Sequence, residues 1–145
     1  MESYTYSGYT DVKFHRVELG LVSNSLYYYG TLSTPNDYTT IRKVDSTEIQ
    51  IWEIVIPYEP AKNAFVITED EQYIYFSLQP SSAIVLVQIS TVDGTILNSV
   101  STQTYSNSPT SSIAVSNVNN VVFFSTSFSS NAYICKWCPN TVGRD

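Results

Sequence analysis

Two cysteines in the run Cys135-Lys-Trp-Cys138 have the spacing most suggestive of chemistry. A zinc site needs four ligands, and the chain offers no other cysteine and one remote histidine, His15. Attachment of a c-type haem requires a histidine where Pro139 stands, and a thioredoxin-like pair opens a helix in a βαβ unit. In an extended strand the two α-carbons would lie ~10 Å apart, beyond the ~7 Å limit for a disulfide. We expect two ordinary thiols, with a local disulfide or a metal-scavenging surface pair as alternatives.

His15 and the acidic run 69–71 are the other candidates for chemistry. A general base needs a nucleophile or a substrate-facing cleft, and no Ser/Asp pattern adjoins His15, so we expect a surface histidine. Calcium sites take ligands from alternating loop positions around a glycine turn, whereas the run Glu69-Asp70-Glu71 is expected to cap a solvated hairpin. The five glycines are scattered and form no phosphate-binding loop. The sequence therefore predicts no catalytic residue, no metal and no cofactor.

Aromatic side chains on exposed loops could bind a carbohydrate or another small ligand. The candidates for such a site are Trp52 and Trp137, with Tyr58 or Tyr105 assisting. Other aromatic residues recur at the same place in successive predicted strands, which favours packing in the core. Base stacking on these rings is disfavoured as well, because nucleic-acid binding also needs a cationic groove.

The charge balance disfavours several partners. The 145 residues include 7 basic and 13 acidic side chains, for a net charge of −6, and no Lys/Arg cluster. We therefore expect no binding to nucleic acid or to anionic membranes. The longest apolar runs, such as 83–87, are much shorter than the ~20 residues of a membrane span. The absence of a signal peptide and of an N-glycosylation sequon favours an intracellular location.

A repeat of about 48 residues organises the chain. Three aromatic-aliphatic runs ending in a small residue start 47 and 48 residues apart: 26–30, 73–77 and 121–125. Three predicted turns hold nearly the same period, because their threonines are spaced by 48 and 46: 45–47, 93–95 and 139–141. We interpret the chain as almost three copies of one unit, because internal periods of this length are typical of repeat architectures.

Each unit can be divided into short β-strands separated by turns. The units cover residues 18–57, 64–101 and 111–145. The predicted strands are 20–23, 26–32, 38–44 and 48–56; then 64–68, 73–78, 83–90 and 95–101; then 112–116, 121–127 and 131–137. The last unit lacks a fourth strand. An alternating N-terminal strand at about 10–17 could supply it, in a partner chain or in a longer protein.

Four-stranded units of this length resemble the blades of WD-repeat-like and quinoprotein-like β-propellers. The aromatic second strands and the turns at Asp45, Asp93 and Asn140 carry the resemblance, which is architectural. It implies an all-β fold of about three four-stranded antiparallel blades, forming an incomplete ring or one completed by association.

The function expected from this architecture is a non-catalytic scaffold or protein-interaction module, with a protein partner or self-association. The alternatives are a fragment or subunit of a larger propeller enzyme, an oxidoreductase or hydrolase with catalytic groups elsewhere, and a carbohydrate- or small-ligand-binding protein.

Overall fold

The computed structural model describes residues 11–33, 37–80, 83–103, 112–119, 121–128 and 131–139. Strands dominate these residues. In chain order they are β1 (Asp11–Leu19), β2 (Leu26–Ser33), β3 (Asp37–Val44), β4 (Gln50–Ile56), β5 (Pro60–Ile67), β6 (Tyr73–Leu78), β7 (Ala83–Ser90), β8 (Ile96–Gln103), β9 (Ser112–Ser116), β10 (Val121–Phe128) and β11 (Asn131–Trp137). The predicted all-β class is therefore confirmed.

The strands form three antiparallel sheets, none of them closed on itself. The first sheet has the order β1-β2-β3-β4, the second β5-β6-β7-β8 and the third β9-β10-β11. Each sheet is an up-and-down meander in which every strand pairs with its neighbour in sequence. The short connections impose this order, because a tight turn can join only antiparallel neighbours.

The N-terminal strand differs from its predicted role. β1 pairs with β2 in the first sheet, with Val17 opposite Tyr28, so the prediction that residues 10–17 complete the last unit was wrong. Residues 20–23, predicted as a strand, belong to the turn between β1 and β2. That turn forms because Asn24 adopts a φ of 59°, and its amide donates to the Gly20 carbonyl.

Two of the predicted turns are present, and an aspartate shapes each of them. The Asp45 carboxylate accepts a 2.8 Å hydrogen bond from the Thr47 amide, and the Asp93 carboxylate accepts one of 2.9 Å from the Thr95 amide. Such local bonds from aspartate to the backbone two residues ahead are typical of turns. In the third turn, residues 140 and 141 lie outside the described residues.

Gly94 occupies a position where a side chain would be strained. Its φ is +76°, and an added Cβ would lie 2.9 Å from both the Trp52 ring and the Ile54 methyl group. We expect Gly94→Ala to lower the free energy of unfolding by about 2 kcal/mol, because it combines backbone strain with overpacking. Urea denaturation would measure this. Glu48→Gly is the control, because Glu48 also has a positive φ, of 68°, and glycine adopts such a φ without strain. We expect no comparable loss of unfolding free energy in this variant. Equal losses in the two variants would contradict the explanation.

Two apolar clusters hold the sheets together. The larger lies between the first and second sheets and contains, among other residues, Tyr29, Trp52, Phe65 and Phe76. The smaller lies between the second and third sheets, around Leu86 and Phe124. The closest backbone approaches between sheets all include a first strand: β1 with β5, β2 with β5, β5 with β9 and β6 with β9. The first strands therefore lie together along one side of the stack.

Candidate functional site

Hydrogen bonds between neighbouring sheets join residues that are one repeat apart. The Ser23 amide donates to the Glu71 carboxylate across the first and second sheets, a separation of 48 residues. The Tyr29 hydroxyl donates to the Ser77 carbonyl, again 48 residues away. The Glu69 amide donates to the Asn117 side chain across the second and third sheets, also with a separation of 48. The repeat interval found in the sequence is therefore also the interval between contacting positions of adjacent sheets.

Tyr27, Tyr75 and Phe123 occupy the same position in the three sheets, 48 residues apart. Each lies on the second strand of its sheet and pairs with a residue of the first strand, which is Glu18, Val66 or Ala114 respectively. We call the face of each sheet that carries this aromatic residue its forward face. Tyr27 and Tyr75 are 0% exposed because the next sheet covers them, whereas Phe123 is 41% exposed. The forward face of the third sheet therefore carries an equivalent aromatic residue, but no other described sheet packs against it.

We call the opposite face of each sheet its rear face, and exposure on it also differs from one sheet to the next. Phe65 on the rear face of the second sheet is 2% exposed and stacks on Tyr29 of the first sheet, with ring centroids 4.9 Å apart. The residue one repeat earlier, Val17, is 52% exposed on the rear face of the first sheet. That face is exposed only at its edges, because Leu32 and Thr40 on its central strands are 0% exposed.

Apolar side chains are exposed at both ends of the stack. On the rear face of the first sheet they lie on the two outer strands, with Val17 on β1 and Val55 on β4. Between these strands Arg42, whose guanidinium lies 2.6 Å from a neighbouring carboxylate, is 5% exposed. The forward face of the third sheet exposes Phe123 and Ile134. Exposed apolar surface on that face makes it the candidate interaction site.

Glu71 joins the first two sheets through a cluster of hydrogen bonds. Its carboxylate accepts bonds from the Val22 amide at 2.8 Å, the Ser23 amide at 2.7 Å and the Tyr27 hydroxyl at 2.7 Å, and also from the Ser23 hydroxyl. Burial raises the pKa of Glu71, but these hydrogen bonds outweigh burial and place the pKa below its usual value of 4.5. Glu71 is only 7% exposed, so the expectation that the whole acidic run caps a solvated hairpin was wrong.

A cavity of about 730 Å³ lies between the first strands of the three sheets. Its polar lining includes the ion pair of Arg16 with Glu18 and the contact of Glu69 with Asn117. Its apolar lining includes Phe65. Trp52, Trp137 and Tyr58, the described members of the predicted ligand-binding set, do not line this cavity.

The aromatic residues proposed from the sequence do not form one site. Trp52 is buried on β4, where its indole nitrogen donates a 2.9 Å hydrogen bond to the Thr91 carbonyl of the second sheet. Trp137 is half-buried and meets Tyr75 edge-on, with ring centroids 6.0 Å apart. Tyr58 is exposed in the connection between β4 and β5. Tyr105 lies outside the described residues. Both tryptophans therefore serve intersheet packing.

The remaining candidates for chemistry are dispersed. Cys135 and Cys138 are half-buried thiols rather than a disulfide, and Cys135 packs against the cluster between the second and third sheets. His15 is half-buried, with its Nε2 atom 2.6 Å from the Thr31 hydroxyl. Burial, assisted by Lys62 and Lys13, lowers its pKa. Among the described residues, no three His, Cys, Asp or Glu side chains lie close enough together to hold a metal ion.

The comparisons with known proteins give no family. No model of a protein family matches the chain, and no curated protein matches its sequence. In the described ranges, no helix is long and apolar enough to cross a membrane.

Proposed function

We propose that this chain is a non-catalytic protein-interaction module made of three propeller-type blades. It binds protein through the forward face of the third sheet. One observation carries the proposal: Phe123 is 41% exposed, whereas Tyr75 and Tyr27, its equivalents one and two repeats away, are 0% exposed. A position that forms an intersheet contact twice is thus left open the third time.

The burial pattern also supports a blade-like stack. Each pair of adjacent sheets buries an apolar cluster, and the closest backbone approaches involve the first strands. Propeller blades pack face to face around a central channel, and the cavity between the first strands corresponds to part of such a channel. Architecture of this kind indicates how surfaces are arranged, whereas function depends on the site.

The interaction role is favoured over binding of a sugar through the aromatic residues. The indole of Trp52 is engaged by the Thr91 carbonyl, and the ring of Trp137 packs on Tyr75. A carbohydrate platform needs an accessible aromatic face, which these contacts use for packing. Phe123 and Ile134 are instead exposed together on the forward face of the third sheet, where a protein partner can cover them.

A charged substitution on the forward face of the third sheet tests the proposal. We expect Phe123→Glu to remove at least about half of the concentration-dependent self-association, or of the fluorescence of the apolar dye ANS, that the unmodified chain shows. A buried apolar contact is worth about 25 cal/mol per Å², and a carboxylate at its centre costs more than it restores. Sedimentation velocity and dye titration on the same samples supply both measurements.

Val118→Glu is the matched control, because Val118 is strongly exposed in the turn after β9 and lies outside the forward face. We expect it to change neither signal. The proposal is contradicted if the unmodified chain neither associates nor binds dye, or if Val118→Glu and Phe123→Glu behave alike. Circular dichroism confirms that each variant stays folded.

A further inference from the structure

We propose that one end of the stack is a docking surface for a polypeptide segment that carries both basic and aliphatic side chains. Five described turns form this end, and each joins the first strand of a sheet to its second or the third strand to its fourth. They cover residues 20–25, 45–49, 68–72, 91–95 and 117–119. We call this surface the turn end. It is separate from the forward face of the third sheet, so the inference goes beyond the interaction role proposed above.

The five turns lie at the same end of the molecule. In an up-and-down meander, the first and third turns of a sheet lie at one end and the second turn lies at the other. Contacts between sheets align these ends. The Ser23 amide in the first turn of the first sheet donates to Glu71 in the first turn of the second sheet. The Glu69 amide of that second turn donates to Asn117 in the first turn of the third sheet.

Aliphatic side chains are exposed in four of the five turns. Turns are normally built from glycine, proline, asparagine, aspartate and serine. The turn end instead exposes, at 64% to 89% of each residue's surface, Leu21, Val22, Ile49, Val92 and Val118. Single exposed apolar residues are common on protein surfaces, whereas apolar residues gathered at one place mark an interaction site. A partner with aliphatic side chains would cover these residues.

The same turns are acidic. The five turns contain no lysine or arginine. Their exposed or half-buried carboxylates are Asp45, Glu48, Glu69, Asp70 and Asp93. Hydrogen bonds within their own turns lower the pKa of Asp45 and Asp93, so both are ionised at neutral pH. Complementary charge selects partners and speeds their encounter, and the turn end therefore favours a basic partner.

Most basic side chains are remote from the turn end or engaged by other groups. Lys43 ends β3 close to a turn, but its ammonium group donates a 3.0 Å hydrogen bond to the Thr91 carbonyl. Lys13 and Lys62 lie near the starts of β1 and β5, at the opposite end of the stack. Lys136 is exposed on the forward face of the third sheet. An excess of negative charge therefore remains at the turn end.

The cavity between the first strands gives the docking surface an anchor point. Leu21, Glu69 and Asn117 belong to the turn end and also line this cavity of about 730 Å³. Glu18 lines the cavity as well and is paired with Arg16, whereas Glu69 has only amide contacts with Asn117. A lysine side chain of the partner that enters the cavity would therefore meet the Glu69 carboxylate. Anchors that fill a pocket in this way contribute most of the affinity of many interfaces.

Peptide titration tests the proposal. The probe is a short fluorescein-labelled peptide of lysine and leucine, and two reference peptides replace its lysines by glutamate or its leucines by serine. By fluorescence anisotropy, we expect saturable binding of the lysine–leucine peptide alone, which weakens as salt is added.

Two variants separate the charge from the apolar contacts. Glu69→Lys should weaken binding of the lysine–leucine peptide at least about tenfold, because it reverses the charge at the cavity. The double variant Val22→Ser with Val118→Ser should weaken it at least about fivefold, because two apolar contacts are lost. The double variant also tests the proposal if Glu69→Lys fails to fold, and circular dichroism shows whether each variant is folded.

Asp37→Lys is the matched control, because Asp37 is exposed at the start of β3, at the opposite end of the stack. It changes the net charge by as much as Glu69→Lys does. We expect it to weaken binding less than about twofold, because salt screens charges that lie more than a Debye length from the peptide.

Three results would overturn the proposal. These are no saturable binding of the lysine–leucine peptide, equal binding of either reference peptide, and equal weakening by Glu69→Lys and Asp37→Lys. Each would leave the role of the forward face standing, because that role rests on the exposure of Phe123. The dye ANS is anionic and is disfavoured by the acidic turns, so the dye and the peptide report on different surfaces.

Discussion

Replacing Glu71 with alanine is expected to lower the free energy of unfolding by about 3 kcal/mol, because the Tyr27 hydroxyl would be left buried without its acceptor. The carboxylate also accepts the Val22 and Ser23 amides, which water can partly satisfy after the change. Chemical denaturation followed by tryptophan fluorescence would measure the loss. Glu71→Gln keeps one acceptor oxygen and removes the charge, so we expect a smaller loss of about 1.5 kcal/mol.

Glu69→Gln is the matched control, since Glu69 lies in the same turn but is exposed. We expect it to change the free energy of unfolding by less than about 0.5 kcal/mol. Equal effects of the two glutamine variants would show that the turn, rather than the buried carboxylate of Glu71, joins the sheets.

The contribution of Glu71 also depends on pH, with a defined sign. The pKa of Glu71 in the folded chain lies below its ordinary value of 4.5. The ionised carboxylate therefore contributes its full stabilisation above pH 4.5, and this contribution is lost as the pH falls through the pKa of the folded chain. The stability difference between the unmodified chain and Glu71→Gln should therefore narrow as the pH falls below 4.5. A difference that stays constant down to the acid transition would contradict this assignment.

Replacing Trp52 with alanine is expected to have a still larger effect, about 4 kcal/mol, because truncating a buried tryptophan removes its contacts and leaves a cavity. The indole packs beside Tyr27, with ring centroids 6.2 Å apart, and donates to the Thr91 carbonyl of the second sheet. Trp52→Phe retains most of the packing and removes the hydrogen bond, so we expect it to cost about 1.5 kcal/mol.

Gln50→Ala on the same strand is the control, because Gln50 is exposed, and we expect a change within about 0.5 kcal/mol. Equilibrium denaturation followed by circular dichroism measures all three variants. A loss below about 1 kcal/mol in Trp52→Ala would mean that Trp52 does not hold the first two sheets together. It would also restore the indole as a candidate for ligand binding.

The position of the strands was largely predictable, because a strand depends on local properties of the chain. The bounds of β6, β7, β9 and β11 agree with the predicted segments, since each is a short run of β-branched and aromatic residues between turn-forming residues. The continuously apolar run in β7 indicated a strand covered on both faces, and most of its residues are buried.

The roles of individual side chains were less predictable, because they depend on which sheet lies opposite. Glu71 belongs to a run that is solvated at Glu69 and Asp70, and nothing in that run distinguishes the one carboxylate that meets Ser23 and Tyr27. Trp52 was predicted as a ligand-binding aromatic residue, yet it is buried against the second sheet. Its alternation with exposed neighbours on β4 was a signal of this, since one face of that strand had to be covered.

The sequence by itself determined the period of the repeat, the positions of most strands and the antiparallel order within each sheet, because pleating, turn chemistry and short connections act over a few residues. Only the tertiary structure decided that β1 belongs to the first sheet, that Glu71 is buried, and that Phe123 is exposed where its equivalents Tyr27 and Tyr75 are buried. These properties depend on contacts between residues about 48 positions apart, where the burial of each side chain depends on the sheet packed against it.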